Sequence, residues 1–134
     1  MKKYLKFIAS LLVGSAVAWF VVVNYGWSMS TVYGPSMEPT FHDLDKIMVS
    51  HWPLLFRKPH VGEVVVVWDV KSNEYVIKRV AAVPGMPIVQ LSTGKPYKLS
   101  KNQYIVLGDN SANSYDSRYY GPVHLVQIVG VVKQ

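Results

Sequence analysis

The chain has 134 residues, 50% of them apolar, and its 14 Lys and Arg against 8 Asp and Glu give a net charge of +6. That length fits one domain plus a short appendage, and the absence of cysteine excludes a disulfide framework, a thiolate metal site and a cysteine nucleophile. The basic residues are scattered, with no run of five and no interleaved aromatics, so the charge speaks against nucleic acid and fits an anionic membrane surface.

Lys2, Lys3 and Lys6 precede an uncharged apolar stretch over residues 7–23, followed by Asn24, Tyr25, Gly26 and Trp27. With its aromatic end the stretch approaches the ~20 residues needed to cross a bilayer core. A transmembrane helix is expected over residues 7–27. Lysines before it and none just after it put residues 1–6 in the cytoplasm and residues 28–134 outside it. Tyr25 and Trp27 suit the far interface. A cleavable signal peptide is the competing reading, with Ser28-Met29-Ser30 as a small-x-small cleavage site. A helix buried in a soluble core would show a polar stripe at helical spacing, and none is present.

Residues 33–40 are rich in Gly and Pro and read as a loop. Residues 45–50 read as a short strand, and residues 52–56 (WPLLF) as an apolar patch between His51 and the Arg57-Lys58 pair. The β-branched run 64–68 and the segment 75–83 read as strands, the second stopped by Pro84-Gly85. Residues 87–91 form a candidate strand and 92–95 a candidate hairpin turn. Residues 104–107 read as a strand, 108–120 as a long polar loop, and 123–132 as closing β-formers. Short strands at close spacing predict a mainly β domain, a compact antiparallel barrel or sandwich, behind one N-terminal helix.

Three segments contain candidate chemistry. Ser36 lies in Gly-Pro-Ser-Met-Glu-Pro-Thr at 34–40, where two prolines stiffen and a glycine turns a loop able to hold a nucleophile; an ordinary serine in a turn has the same appearance. Lys78 shares its strand face with Val76 and Val80, so desolvation lowers its pKa and frees the amine to act as a base; a lysine snorkelling from an edge strand is the plain alternative. The third segment, residues 108–122, is dense in Asp, Asn and Ser, which fix tight turns. A calcium loop using Asp109, Asn113 and Asp116 lacks the usual acidic spacing and terminal Glu. None of His42, His51, His60 and His124 sits in a constrained motif that would mark a Ser-His-Asp triad.

Taken together, residues 34–40, 45–49 with 62–67, 75–85 (YVIKRVAAVPG) and 108–123 (GDNSANSYDSRYYGPV) resemble, in order, the boxes of type I signal peptidase and the related mitochondrial inner membrane peptidases. The resemblance implies a membrane-anchored serine endopeptidase that removes signal peptides from exported precursors by a Ser-Lys mechanism, cutting after small residues. It implies no cofactor and no metal; the partners are precursor proteins and the lipid bilayer. Ser36 matches the nucleophile, with its backbone N–H as an oxyanion donor, and Lys78 matches the general base. Ser114 matches the serine that orients the lysine. Asp109, Asp116 and Arg118 match structural supports, Asp116 and Arg118 as an ion pair. Met37, Ile77 and Val106 fall where the family lines its substrate cleft.

There are departures. Gly34 stands where some members place a serine hydroxyl in the oxyanion hole, so a second donor is unassigned. Ser111 stands where many members have Arg. The short stretch 86–103 leaves no room for the accessory β-domain of some bacterial members. The rival readings are a catalytically inactive relative acting in assembly or binding, a self-cleaving Ser-Lys repressor of related fold, and a structural membrane-anchored β-domain.

Overall fold

A computed structural model describes residues 2–89 and 94–133, without the side chains of residues 2, 5 and 23–25. The apolar N-terminal segment forms α1 (Lys2–Tyr25), whose described residues from Tyr4 to Val21 present large apolar side chains to the exterior. Among the described residues no helix is long and apolar enough to cross a membrane. The helix ends at Tyr25, and Trp27, expected inside it, instead opens strand β1 (Trp27–Thr31). No linker separates the helix from the domain.

The other strands are β2 (Lys46–Ser50), β3 (Val64–Asp69), β4 (Glu74–Ala82), β5 (Pro87–Val89), β6 (Pro96–Lys98), β7 (Gln103–Leu107), β8 (Val123–His124) and β9 (Ile128–Lys133). The short helices are α2 (Trp52–Phe56) and α3 (Ser117–Tyr120). Residues 52–56 are therefore a helical turn, with Pro53 in its first turn, where its missing N–H costs nothing. Residues 108–120, expected as one loop, contain a 3-10 turn (Ser111–Asn113) and α3. The turn expected over 92–95 and the end of the strand expected over 87–91 lie partly outside the described residues.

Seven strands make one antiparallel sheet in the order β1-β2-β9-β3-β4-β7-β8, while β5 and β6 pair separately. The mainly β, antiparallel expectation holds, but the sheet is open: β1 and β8 are its edges, so it is not a closed barrel. β8 is only two residues long, bounded by Pro122 and a 3-10 turn at Leu125–Gln127, and it cannot carry the ladder round to β1. The β5–β6 pair, three residues in each strand, is the structure described between β4 and β7.

The centre of the sheet is set by the four valines that begin β3, all buried. Alternation sends Val65 and Val67 to one face, with Val80, Tyr104, Val106 and Val131. It sends Val64 and Val66 to the other, with Val32, Met37, Ile47 and Val49. This two-sided burial makes β3–β4 a rigid base for whatever β4 carries.

Candidate active site

Register puts Lys78 opposite Val65, in the first of these apolar faces. Val76 and Val80 flank it as alternation requires, and the side chain is 3% exposed. Its aliphatic stem lies among valines and its Nζ reaches Ser36 Oγ at 3.1 Å. Burial pushes the Lys78 ammonium pKa down, and the negative charges of Asp116 and Asp69 pull it only part of the way back.

Ser36 is held from both sides. Gly34 has φ +80, a conformation glycine adopts readily and a side chain adopts only with strain. Its N–H donates to Asp43 Oδ1 at 2.8 Å. Glycine at position 34 is thus a backbone requirement. After Ser36 the chain turns, with Glu38 N–H on Pro35 O and Phe41 N–H on Met37 O. Met37 is fully buried beneath the loop, and the Ser36 carbonyl accepts from Asn110 N–H at 3.1 Å.

The final segment meets the pair at Gly108. A Cβ there would overlap the Ser114 side chain and the Ser36 carbonyl oxygen. Gly108 N–H donates to Asp116 Oδ2 at 2.9 Å, and the Ser114 hydroxyl donates to the same oxygen at 2.7 Å. Arg118 closes on Asp116 with Nε at 2.8 Å and Nη2 at 2.7 Å, while its backbone N–H is capped by Asp116 Oδ1. Burial alone would push the Asp116 carboxyl up; Arg118, Gly108 N–H and the Ser114 hydroxyl outweigh it and hold the group well below the usual carboxylate range. Asp116 is thus a fixed, fully buried negative charge near Lys78. The resemblance implies a direct bond from Ser114 to Lys78, whereas the bond described for Ser114 runs to Asp116.

A second brace was legible in the sequence only at Asp109; its partners Arg79 and Thr40 were not. Arg79 faces away from Lys78 and grips Asp109 with Nε at 2.8 Å and Nη2 at 2.6 Å. Thr40 of the nucleophile loop donates to Asp109 Oδ2 at 2.5 Å, and Arg79 Nη1 donates to Gly62 O at 2.7 Å. Hydrogen bonds from Arg79 and Thr40 hold the Asp109 carboxyl below its ordinary range, against the effect of burial. One ion pair thereby joins the lysine strand, the nucleophile loop and the final segment. The signal for it was alternation itself: the residue after a buried lysine must face the other way.

Of the three residues expected to line a cleft, Met37 and Ile77 pack with one core cluster and Val106 with the other. Met37 and Val106 are fully buried, in opposite core clusters, and only Ile77 keeps some exposure. The hydrogen bonds described for His42, His51, His60 and His124 lead elsewhere than to Ser36. Among the described residues no group of acidic or imidazole side chains is arranged to hold a metal ion; Asp109 and Asp116 are each taken up by an arginine.

The arrangement offers a hydroxyl in contact with a desolvated amine on a braced frame, which is the equipment for nucleophilic acyl transfer. The family model described as "Signal peptidase, peptidase S26" matches residues 2–95 and 87–134. Mitochondrial ATP-independent inner membrane protease subunit 1b of Arabidopsis thaliana is 34% identical over 120 residues, spanning 84% of this chain and 71% of that protein. Signal peptidase I V of Bacillus subtilis is 28% identical over 167 residues, spanning 98% of each. A crystal structure of a signal peptidase I from Enterococcus faecalis overlaps at a TM-score of 0.46 and 20% identity, over 57% of this chain and 98% of that one, too loosely to carry an argument. Matched along nearly its whole length, and with its boxes in the family's order, this chain belongs to the signal peptidase S26 family of peptidases.

Proposed function

We propose that the chain is a membrane-anchored serine endopeptidase that removes signal peptides from exported precursors, with Ser36 as nucleophile and Lys78 as general base. The observation that carries this reading is the 3.1 Å contact between Lys78 Nζ and Ser36 Oγ, made by a lysine whose burial favours the neutral amine.

Neutral Lys78 takes the Ser36 proton as Oγ attacks the carbonyl carbon before the cut. The resulting ammonium gives that proton to the leaving amine, and an acyl-enzyme forms. Lys78 then takes a proton from water, the hydroxide attacks the acyl carbon, and Ser36 is released with the proton returned to its oxygen. The oxyanion donor named by this reading is the Ser36 N–H, which has no partner among the described hydrogen bonds.

The anchor reading rests on α1. Its apolar stretch, residues 7–23, extends about 26 Å at 1.5 Å per residue, close to but short of a hydrocarbon core of about 30 Å. Residues 7–23 contain no charge. Lys2, Lys3 and Lys6, at the start of the helix and ahead of its uncharged stretch, orient its N-terminus to the cytoplasm and the sheet domain outside.

The test is cleavage of a precursor with a small-x-small site by the detergent-purified chain, beside Ser36→Ala and Lys78→Ala. Ser36→Ala should abolish the reaction, and Lys78→Ala should lower it by about 10²–10⁴, the range of a general base. No cleavage by the wild type would leave an inactive family member, and full cleavage by either variant would remove the dyad.

A further inference from the structure

Lys78 shares its face of the sheet with a second carboxylate. Register pairs Lys78 with Val65, Val76 with Val67 and Glu74 with Asp69. Strand alternation therefore makes Asp69 the last residue of the β3 row that opposes the lysine. The turn that follows fixes it there: its Oδ1 accepts from Lys71 N–H at 2.9 Å and its carbonyl from Asn73 N–H at 2.9 Å. Gln127 Nε2 donates to the preceding carbonyl, that of Trp68, at 3.2 Å.

The two carboxylates that act on the lysine differ in their partners. Arg118 grips Asp116 through Nε and Nη2, so that pair presents little net charge to a group beside it. Asp69 belongs to none of the ion pairs found among the described residues. Lys71 in the turn and Glu74 opposite on β4 are both exposed. From the nucleophile loop, the group that meets Lys78 Nζ is the neutral Ser36 hydroxyl.

Asp69 lines a cavity of about 130 Å³ together with Val67, Tyr120 and Val123. Val67 and Val123 belong to the core cluster that contains Val65, and Tyr120 packs against that cluster. The Tyr120 hydroxyl, like that of Tyr104 in the same cluster, is sealed from solvent and has no hydrogen-bond partner among the described residues. Charges that act through such a medium are screened far less than across water. Tyr120 feels this: burial, then the negative charges of Asp116 and Asp69, push its pKa up, with a smaller effect of the exposed Tyr115 that meets it edge-on. Burial also pushes up Tyr104 on β7, so both phenols are neutral neighbours. The same two carboxylates, Asp116 and then Asp69, favour the charged form of Lys78.

We propose that Asp69 is a positioning residue for the general base: its unpaired carboxylate, acting past Tyr120 through the sealed core, stabilises the protonated form of Lys78 and so sets the pH range in which the dyad works. This deepens the reading of Lys78 as the base and rests on it. Asp69 lies outside all the segments that resemble the family's boxes, 34–40, 45–49 with 62–67, 75–85 and 108–123, so the resemblance assigns it no role. Burial alone would free the amine at a lower pH; a carboxylate held on the same face returns part of that change.

Asp69→Asn removes the charge and keeps an acceptor for Lys71 N–H. In single-turnover cleavage of a small-x-small precursor by the full chain in detergent, the rising limb of its pH profile should move to lower pH. On that limb the variant should be about threefold faster than the wild type, with a plateau no higher. Asp69→Lys should move the limb further in the same direction. Glu74→Gln, an equal change of net charge at an exposed site one strand away, should leave it in place. A general loss of structure would slow cleavage at every pH and move no limb. A limb unmoved by Asp69→Asn, or moved equally by Glu74→Gln, overturns the inference. The lysine is also read without catalysis, by an NMR titration of its Cε signal in the full chain with and without Asp69→Asn, Lys78→Met assigning the signal. A signal that titrates at lower pH in Asp69→Asn, with no cleavage by the wild type, removes the catalytic reading and leaves the coupling of Asp69 to Lys78 standing. Cleavage intact with an unshifted signal overturns the coupling alone.

Discussion

Lys78 Nζ lies 3.1 Å from Ser36 Oγ, although 42 residues separate the two in the chain. As drawn, an ammonium donates to the hydroxyl; after loss of one proton the amine can accept from it. The pH at which this reversal occurs governs activity. Burial lowers the lysine pKa, so the acylation rate should rise and level off below the ordinary lysine value of 10.5. A single-turnover pH profile still climbing beyond that value would contradict the assignment.

The same burial has a cost in stability. Between its folded pKa and 10.5 the unfolded chain binds a proton that the folded chain does not, so this contribution destabilises at lower pH and is relieved as pH rises. Lys78→Met should therefore raise the denaturation midpoint at pH 7, and the gain should shrink at pH values approaching 10.5. A gain independent of pH would mean that packing, not charge, produced it.

Asp116 behaves in the opposite sense. Its folded pKa is depressed, so its contribution is complete above the ordinary carboxylate value of 3.8 and is lost as pH falls below it. Asp116→Asn leaves the partly exposed Arg118 without its charged partner and should destabilise by about 1–3 kcal/mol. Its acid limb should also be flatter than that of the wild type. Chemical denaturation at pH 7 and at pH 3 measures both effects.

Gly108→Ala places a methyl group against the Ser114 side chain and the Ser36 carbonyl oxygen. The carbonyl belongs to backbone and cannot rotate aside. A loss of about 1–3 kcal/mol, typical of overpacking, is expected, together with a fall in kcat greater than any change in KM because Ser36 is displaced. Equal kcat in the variant would show that the nucleophile loop adjusts freely.

Arg79→Lys keeps the charge but loses the two-pronged grip on Asp109. Because the pair is partly exposed, the expected cost is about 1–2 kcal/mol. Thr40→Val should weaken the same brace from the nucleophile loop, and the two variants should be non-additive in a double-mutant cycle. Strict additivity would separate Thr40 from the ion pair.

Alternation along residues 75–83 was enough to bury Lys78 and turn Arg79 outward, and the uncharged run 7–23 was enough to mark α1. Glycine and proline around Ser36 were enough to mark a constrained loop. These are local properties: a period of two, a charge-free segment and a restricted φ are written in neighbouring residues. What only the tertiary structure decided depends on approach between distant segments. Gly108 counts because Ser114 and Ser36 come against it, Arg79 because Asp109 and Thr40 lie across from it, and Gly26 because the Trp52 ring rests on it. That Met37 and Val106, which the resemblance put at a cleft, are buried in clusters on opposite faces of the sheet is likewise set by the packing of separate segments. The sheet stayed open because β8 is too short to reach β1, a matter of register and length that hydrophobic pattern does not encode.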